Sequence, residues 1–425
     1  MKNKLAINGG TPICKKLKPF NTIGKEELRI VTKVINSGTL SGYFAKKGKE
    51  NGFLGGKYVQ EFEKNICDYF KVKYAITINS WTSGLQTAVG AIDIQPGDEV
   101  IVTPWTMCAT VTAIVSWLAI PVFADIDPVT LNLSPDSVKK CITPKTKAIM
   151  VADIHGLSAD MDRLLEIAKK NNLKIINDAA QAPGALYKNK FAGTLGDIGG
   201  FSLNRHKHIQ TGEGGVLVTN DKKIAERCRL IRNHAECVVD KKSNFSNMIG
   251  SNYRMGEIEA AIGIMQLKKL KKIIKSRQKI AKVITNTLNK YDFIKVLPTP
   301  SGYEHVYYII PILYEQKKTS VSRSKLVEAL SKEGLGNAIY SGYANIHLLP
   351  MFQNKVAFGR EGIPWKSDFY DNSVNYKKGI CPVAEDYHDN KIICFGACMI
   401  DGNDNELIKI KKIFEKVLSK IKGLN

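Results

Sequence analysis

The sequence predicts an α/β protein built on a mostly parallel sheet that helices cover on both faces. Short apolar runs alternate with amphipathic stretches from about residue 75 to residue 220, and this alternation is typical of βαβ units. The composition suits a large folded core, because 44% of the 425 residues are hydrophobic and 24% are charged. In such a sheet, ligands bind in the loops that follow the carboxyl ends of the strands.

The elements of the first half can be assigned in order along the chain. Each predicted strand is a short apolar run, and each predicted helix carries apolar residues three and four positions apart. The segments are strand "YAITIN", helix "TSGLQTAVGAI", strand "DEVIVTP", helix "TMCATVTAIVSWLA", strands "IPVFADI" and "TKAIMVAD", helix "DMDRLLEIAKKNN", and strands "LKIINDA", "GDIGGFSL" and "GGVLVTN". Polar clusters follow several of these strands directly, where a ligand site is expected.

The second half begins with a long amphipathic helix, predicted from Gly256 to Arg277 by a stripe of apolar residues. Strand "VYYIIPILY", helix "SRSKLVEALSKEG" and a final amphipathic helix then indicate a smaller α+β unit. We predict a large domain over residues 1–290, with the first ~20 residues as an N-terminal arm, and a small domain over 291–425. An insert at about 351–381 is rich in aromatic and basic residues, and a loop of this length is usually functional or disordered.

Bulk properties limit the classes of function. The longest apolar stretch, "VTAIVSWLAIPVFA", is too short and too interrupted by Thr112 and Ser116 to cross a bilayer, and the start of the chain has no apolar signal region. Nine cysteines occur without a C-x-x-C pair, which argues against a disulfide framework. We expect a cytoplasmic protein with reduced cysteines and no membrane partner.

The net charge of +22 is the unusual bulk property. A basic surface attracts polyanions, but the lysines are spread over the whole chain and no run matches a nucleic-acid-binding motif. We interpret the charge as a generally lysine-rich composition, with an anionic small-molecule substrate as the alternative. No nucleic-acid partner is expected.

The stretch "FSLNRHKHIQTGEGG" at residues 201–215 concentrates basic side chains before a glycine-rich turn. His206 and His208 lack a cysteine or carboxylate at the usual ligand spacing, so no metal site is expected. No G-x-G-x-x-G follows any predicted strand, which excludes the usual nicotinamide motif. Taken alone, "GEGG" fits a tight turn between two strands.

Two further clusters give this stretch a context. Asp178 ends the predicted strand "LKIIND", and Ser80, Thr82 and Ser83 lie at the predicted N-terminus of a helix. Hydroxyls at a helix N-terminus suit a phosphate group, and a carboxylate in a cleft can keep a pyridinium nitrogen protonated. A phosphate site, an acid and a candidate amine together predict pyridoxal phosphate as the cofactor.

With these motifs, the sequence resembles the sugar aminotransferases of the DegT/DnrJ/EryC1/StrS type, which are pyridoxal-phosphate-dependent transferases of fold type I. The resemblance covers nearly the whole chain and implies a homodimer that moves an amino group from glutamate or glutamine onto a keto group of a nucleotide-linked sugar or a related cyclitol. The motifs that carry it are, in order, "EFEKNICDYFKVKYAITINS", "PWTMCAT", "IPVFADID", "ITPKTKAI", "NDAAQAPGA", "GDIGGFSL", "KHIQTGEGG", "SNYRMGEIEAAIGIMQL" and "IHLLPMF".

The resemblance also implies the roles of individual residues. Lys207, four residues before the threonine of "TGEGG", corresponds to the Schiff-base lysine, and Asp178 to the partner of the pyridinium nitrogen. The other implied contacts are Gln181 near the phenolic oxygen, Thr82 and Ser202 at the phosphate, and Asn252 reaching the phosphate of the neighbouring subunit.

Three positions depart from the family pattern. Trp81 stands where a small residue usually precedes the phosphate threonine, and Met107 stands where an aromatic ring often stacks on the cofactor. Both are still expected to border the cofactor, with Trp105 compensating for the missing ring. Asp153 stands where the family commonly has histidine.

Two alternative functions are consistent with these observations. A dehydratase of the same family is the first, although in those enzymes a histidine replaces the lysine that corresponds to Lys207. A non-catalytic nucleic-acid-binding regulator that uses the positive charge is the second. The sequence leaves the roles of Arg205, His206 and His208 open.

Overall fold

The computed structural model describes residues 4–44, 52–235 and 248–424. Helices and strands alternate through the first half of the chain, as the hydrophobic pattern predicts. In the described ranges the helices are α1 (Lys25–Asn36), α2 (Lys57–Phe70), α3 (Trp81–Ala91), α4 (Cys108–Val115), α5 (Pro135–Cys141), α6 (Met161–Lys170), α7 (Lys222–Arg232), α8 (Glu257–Leu288), α9 (Arg323–Leu330), α10 (Pro350–Asn354), α11 (Pro382–Asp386) and α12 (Asp404–Leu418).

The strands of the same ranges form one large sheet and three smaller ones. They are β1 (Tyr74–Ile78), β2 (Glu99–Val102), β3 (Ile120–Phe123), β4 (Thr146–Ala152), β5 (Lys174–Asp178), β6 (Leu186–Tyr187), β7 (Lys190–Phe191), β8 (Ile198–Ser202), β9 (Gly215–Thr219), β10 (Ile294–Val296), β11 (Tyr303–Glu304), β12 (Ile310–Tyr314), β13 (Ile339–Tyr340), β14 (Lys366–Ser367), β15 (Tyr370–Asp371) and β16 (Ile392–Phe395).

The large sheet has seven strands in the order β1-β9-β8-β5-β4-β2-β3. All neighbours are parallel except the pairs that β9 makes with β1 and β8, so β9 runs against the other strands. Successive residues of one strand enter different cores: Val216 packs towards α2 and α8, whereas Leu217 packs towards α3. Burial on both faces explains the near-continuous apolar strands, and the predicted mixed α/β fold class is confirmed.

A second, antiparallel sheet lies in the last third of the chain, in the order β10-β12-β16-β13. It shares a core with α9, α12 and the second half of α8, and Leu5 and Leu17 from the start of the chain join that core. The division between residues 290 and 291 stays a prediction. No helix in the described ranges is long and apolar enough to span a membrane.

The segment 351–381 is not a loose loop. It contains α10 and the β14–β15 hairpin, and its Trp365, Tyr370 and Tyr376 side chains are buried. Tyr370 Oη donates a 2.9 Å hydrogen bond to Oε1 of Glu99 at the start of β2, and Tyr376 Oη donates to a β3 carbonyl at 2.7 Å. The aromatic residues of the insert therefore cover one edge of the large sheet.

The predicted end of the long helix at Arg277 is wrong. Helix α8 continues to Leu288 because its apolar stripe continues with Ile280 and Ile284, which pack in the second core. Arg277 is fully buried, and its guanidinium donates to the backbone carbonyls of Ala397, Cys398 and Ile400. A charged residue looked like a helix end in the sequence, but its partners lie about 120 residues further along the chain.

Replacing Arg277 with methionine should lower the free energy of unfolding by on the order of 3 kcal/mol, because three buried carbonyls would lose a charged donor. The shift in urea unfolding midpoint measures this loss. Lys279→Met, at an exposed position of the same helix, is the matched control and should leave the midpoint nearly unchanged. Equal midpoints for the two variants would contradict the structural role of Arg277.

Candidate active site

A cavity of about 270 Å³ opens where the strands of the large sheet end. It collects residues that follow β1, β2, β4, β5 and β8, as expected for a parallel sheet. All of the predicted site residues except Asn252 line it, namely Trp81, Thr82, Met107, Asp178, Gln181, Ser202 and Lys207. Segments that are distant in sequence thus meet at one edge of the sheet.

Asp178 is the last residue of β5, and only 5% of its surface is exposed. Its Oδ1 accepts hydrogen bonds from Trp81 Nε1 at 2.7 Å and from the backbone N–H of Ala180 at 3.1 Å. Its Oδ2 accepts one from Thr110 Oγ1 at 2.8 Å. These donors compensate the carboxylate for the water it loses on burial.

Lys207 lies in the loop between β8 and β9 and points its ammonium group towards the ring of Tyr308, 4.4 Å from the ring centre. The backbone N–H of Lys207 donates to the Asn204 carbonyl at 2.8 Å, which shapes the turn. Burial lowers the pKa of Lys207, and the negative charge of Asp178 opposes this shift. At neutral pH a larger fraction of the amine is therefore unprotonated than in an exposed lysine.

The two histidines beside Lys207 have different environments. His208 is fully buried and its Nε2 lies 2.9 Å from the Val306 carbonyl, so it anchors the loop. Burial lowers the pKa of His208 to about 3, which keeps the ring neutral. His206 is exposed at the cavity rim beside Arg205, whose Nε donates to it at 3.2 Å. Within the described ranges, no group of three histidine, cysteine or acidic side chains is placed to hold a metal ion.

The N-terminus of α3 borders the cavity with hydroxyl groups. Ser80 caps the helix, since its Oγ accepts from the backbone N–H of Ser83 at 3.1 Å. Thr82 is exposed in the first turn, and Ser202 at the end of β8 lies on the same cavity. Hydroxyls beside the positive end of a helix form a suitable place for a phosphate.

Gln181 is held at both ends of its amide. Its Oε1 accepts from the backbone N–H of His155 at 2.8 Å, and its Nε2 donates to Tyr343 Oη at 3.0 Å. Tyr343 follows β13, so the second sheet contributes a side chain to the cavity. The amide of Gln181 is therefore oriented by groups from two parts of the chain.

Asp153 is a buried acid on the cavity wall. It accepts hydrogen bonds from the Ala159 backbone N–H at 2.9 Å and from Asn177 Nδ2 at 2.8 Å. Burial nevertheless raises the pKa of Asp153 to about 7. The Asp153 carboxyl is therefore protonated up to a higher pH than an exposed aspartate.

The expected compensation of Met107 by Trp105 is wrong. Met107 is half exposed at the N-cap of α4 and lines the cavity. Trp105 is fully buried, lies off the cavity wall and donates its indole N–H to the Tyr343 carbonyl. Because its ring is buried against His155 and close to Gly342, it fixes the loop of Tyr343 instead of bordering a ligand.

Asn252 lies outside the cavity of its own chain and is exposed. Arg254 Nε donates to its Oδ1 at 2.8 Å, and Arg254 Nη1 donates to Asn233, whose side chain binds the Phe44 carbonyl. Phe44 is 62% exposed, and Ile249 nearby in the chain is 77% exposed. Asn252 thus belongs to a surface with large apolar side chains exposed to solvent.

Three side chains of the site were not singled out in the sequence. Thr110 contacts Asp178, Tyr308 lies beside Lys207, and Tyr343 binds Gln181. Thr110 follows Thr106 by one helical turn, shortly after a predicted strand. This spacing was a usable signal that its side chain faces the site. The two tyrosines carried no local signal, because they reach the cavity from beyond residue 300.

An amine and a carboxylate that share one cavity at the strand ends of an α/β sheet, beside hydroxyls at a helix N-terminus, define an enzyme site that suits a phosphate-bearing carbonyl compound. The sequence profile of the DegT/DnrJ/EryC1/StrS aminotransferase family matches residues 39–376. The chain belongs to this family of aminotransferases, and the resemblance inferred from its motifs is confirmed.

Individual relatives agree with this assignment. The GDP-perosamine synthase of Escherichia coli O157:H7 is 36% identical over 71% of this chain and 80% of its own length. The L-glutamine:2-deoxy-scyllo-inosose aminotransferase of Streptomyces kanamyceticus is 29% identical over 98% of this chain and 97% of its own length. A solved GDP-4-keto-6-deoxymannose-3-dehydratase superposes with a TM-score of 0.75 at 25% identity, covering 94% of this chain and 98% of that one.

The family and this dehydratase, which was solved with a trapped PLP-glutamate geminal diamine, imply a pyridoxal phosphate site. The residues present fit that group. Asp178 offers Oδ2 with a single described donor, and Lys207 offers an amine of lowered pKa. Thr82 offers a hydroxyl at a helix N-terminus, and Ser202 offers one at the end of β8. An acid, an amine and a phosphate cradle are the three protein groups that this cofactor needs.

Proposed function

We propose that the chain is a pyridoxal-phosphate-dependent aminotransferase that moves an amino group from glutamate or glutamine onto a keto group of a nucleotide-linked sugar or a related cyclitol. The observation that carries the proposal is the placement of the Lys207 amine and the Asp178 carboxylate in one cavity. The names of the two relatives above, a GDP-perosamine synthase and a deoxy-inosose aminotransferase, support the substrate class. Exposed Arg205 beside the cavity rim would suit an anionic substrate.

The residues on the cavity wall divide into those that hold the cofactor and those that orient the reaction. When bound, pyridoxal phosphate supplies an aldehyde and an electron-withdrawing ring. The proposed contacts are Asp178 at the ring nitrogen, Trp81 behind Asp178, Thr82 and Ser202 at the phosphate, Gln181 at the phenolic oxygen and Met107 beside the ring.

Lys207 has two proposed tasks. Its unprotonated Nζ carries the lone pair that attacks a carbonyl carbon, and burial increases the population of that form. When its amine is free, the same Nζ would act as the base that takes a proton from a substrate carbon and as the acid that returns a proton to a second carbon. Tyr308 and the anchored His208 keep the amine over the cavity during both tasks.

Amino transfer is favoured over the dehydratase alternative. Lys207 and His206 both line the cavity, but the Lys207 ammonium group faces Tyr308, whereas His206 is exposed beside Arg205, which supports Lys207 as the reactive group. A nucleic-acid-binding regulator would instead show binding that weakens steeply with added salt. It would have no use for a lysine of lowered pKa beside a buried acid.

We also propose a cytoplasmic homodimer in which Asn252 completes the neighbouring chain's phosphate site. The exposed apolar side chains around Asn252 support an interface there. The eight cysteines in the described ranges are free thiols, which suits a reducing compartment.

The function is tested by incubating the enzyme with keto-sugar nucleotides and inososes, each with glutamate or glutamine. At least one acceptor should give a product in which an amino group replaces the keto oxygen, identified by mass spectrometry. Lys207→Ala should lower the rate of product formation by several orders of magnitude, because it removes both the nucleophile and the proton carrier. Loss of a hydroxyl from the sugar without gain of nitrogen would support the dehydratase instead.

Borohydride should attach pyridoxal phosphate irreversibly to Lys207, because reduction fixes a carbon–nitrogen bond at an amine whose pKa is lowered by burial. Labelling of Lys207 should stay efficient at neutral pH, where an ordinary exposed lysine is largely protonated. Peptide mapping by mass spectrometry identifies the site. A label on a different lysine would reject the assignment of Lys207.

Mixing two inactive variants tests the shared site. Lys207→Ala and Asn252→Ala chains, once exchanged at equal amounts, should recover about a quarter of the wild-type activity, since half of the dimers are hybrids with one intact site each.

The control mixes Lys207→Ala chains with Asp178→Asn chains. Each of these substitutions alters the cavity of the chain that carries it. No hybrid of that pair contains an intact site, so no activity should return. Light scattering confirms the dimer, and subunit exchange is verified with a tagged chain. Recovery in neither mixture, although exchange occurs and Asn252→Ala is impaired alone, would exclude a contribution of Asn252 across the interface.

A further inference from the structure

Trp81 is the donor of the shortest hydrogen bond to Asp178. Its indole Nε1 lies 2.7 Å from Oδ1, and 6% of the residue is exposed. A buried indole usually finds a hydrogen-bond partner, and the other three tryptophans donate to neutral oxygens: Trp105 and Trp117 to backbone carbonyls and Trp365 to a tyrosine hydroxyl. Trp81 alone among the four donates to a carboxylate.

Glycines surround the ring of Trp81. A Cβ on Gly200, which pairs with Asp178 in the sheet register, would stand 2.6 Å from the Cη2 atom of the indole. A Cβ on Gly84 would stand 2.8 Å from its Cε3 atom, and one on Gly215 would stand 3.0 Å from the Cα atom of Trp81. Since real Cβ atoms do not approach side-chain atoms to within 2.6 or 2.8 Å, the indole can keep this position only if residues 84 and 200 are glycines, whereas Gly215 gives room to the backbone of Trp81.

The hydrogen bonds leave Asp178 with a defined acceptor. A carboxylate has about four lone-pair sites, and Trp81 and Ala180 occupy the two on Oδ1 while Thr110 occupies one on Oδ2. A donor from a ligand in the cavity therefore meets a carboxylate that is already oriented. Without the indole N–H, Oδ1 would lose its shortest bond and the carboxylate could rotate.

We propose that Trp81 is a positioning residue that holds the Asp178 carboxylate for the ring nitrogen of the cofactor. The tryptophan at position 81 then has a function of its own in this chain. The inference rests on the proposed cofactor site. It assigns Gly84 and Gly200 the task of making room for the indole. Removing the indole N–H while keeping an aromatic side chain at position 81 should weaken the binding of any ligand whose own ring nitrogen contacts Asp178.

The test compares two ligands on the full-length chain. Pyridoxal phosphate has the ring nitrogen, and deazapyridoxal phosphate carries a C–H in its place. Trp81→Phe keeps an aromatic ring and removes the donor. The dissociation constants of both ligands are measured by titration of the cofactor-free protein, and unfolding midpoints check that each variant is folded.

Trp81→Phe should raise the dissociation constant of pyridoxal phosphate about tenfold, which corresponds to ~1.4 kcal/mol, and should change that of the deaza ligand by less than about threefold. Trp117→Phe is the matched control, because it removes an indole N–H that donates to the carbonyl of Gln86. Gln86 belongs to α3, the helix that also contains Trp81. Trp117→Phe should change neither constant. Trp81→Leu, which also lacks a donor, gives the same comparison if Trp81→Phe does not fold.

Equal weakening of both ligands would show that Trp81 acts only through packing and would overturn the inference. Unchanged binding of pyridoxal phosphate in Trp81→Phe would overturn it as well, while leaving the proposed function intact. Failure of the wild-type chain to bind pyridoxal phosphate would instead reject the proposed function, and the inference with it.

Discussion

The structure depends on keeping one carboxylate charged and fixed where almost no water reaches it. Asp178 ends the central strand β5 with 5% of its surface exposed, and burying an unpaired charge is very costly. Its donors come from the first turn of α3, from α4 and from the turn after β5. The docking of two helices against the sheet is thereby tied to the charge of a single residue.

The amine in the same cavity is held by a different part of the chain. His208 anchors the loop of Lys207 to the Val306 carbonyl, and the Tyr308 ring faces the ammonium group. Arg277 belongs to the long helix α8 and is buried against the segment that follows β16. It connects the two cores that meet around α8. The acid thus belongs to the large sheet, whereas the environment of the amine is completed by residues beyond 300.

Sequence reasoning was successful where the determining interactions are local. Apolar runs predicted the strands of the large sheet, and the motif around Lys207 led to the family that the profile match establishes. The end of α8 was misplaced because Arg277 finds its partners far along the chain. Trp105 was assigned to the wrong environment, since a tryptophan next to a strand end can point into the cavity or away from it, and only packing decides which.

By itself, the sequence determined the alternation of strands and helices and the polar groups at the strand ends, because each depends on residues within one turn or one strand. Its motifs also indicated the family, and with it Lys207 as the candidate reactive lysine. The tertiary structure decided which groups meet. Trp81 can donate to Asp178 only because Gly200, more than one hundred positions away, leaves space for the indole. Tyr343 binds Gln181 across 162 positions and Thr110 binds Asp178 across 68 positions. Such contacts depend on the packing of whole elements, which local sequence patterns do not encode.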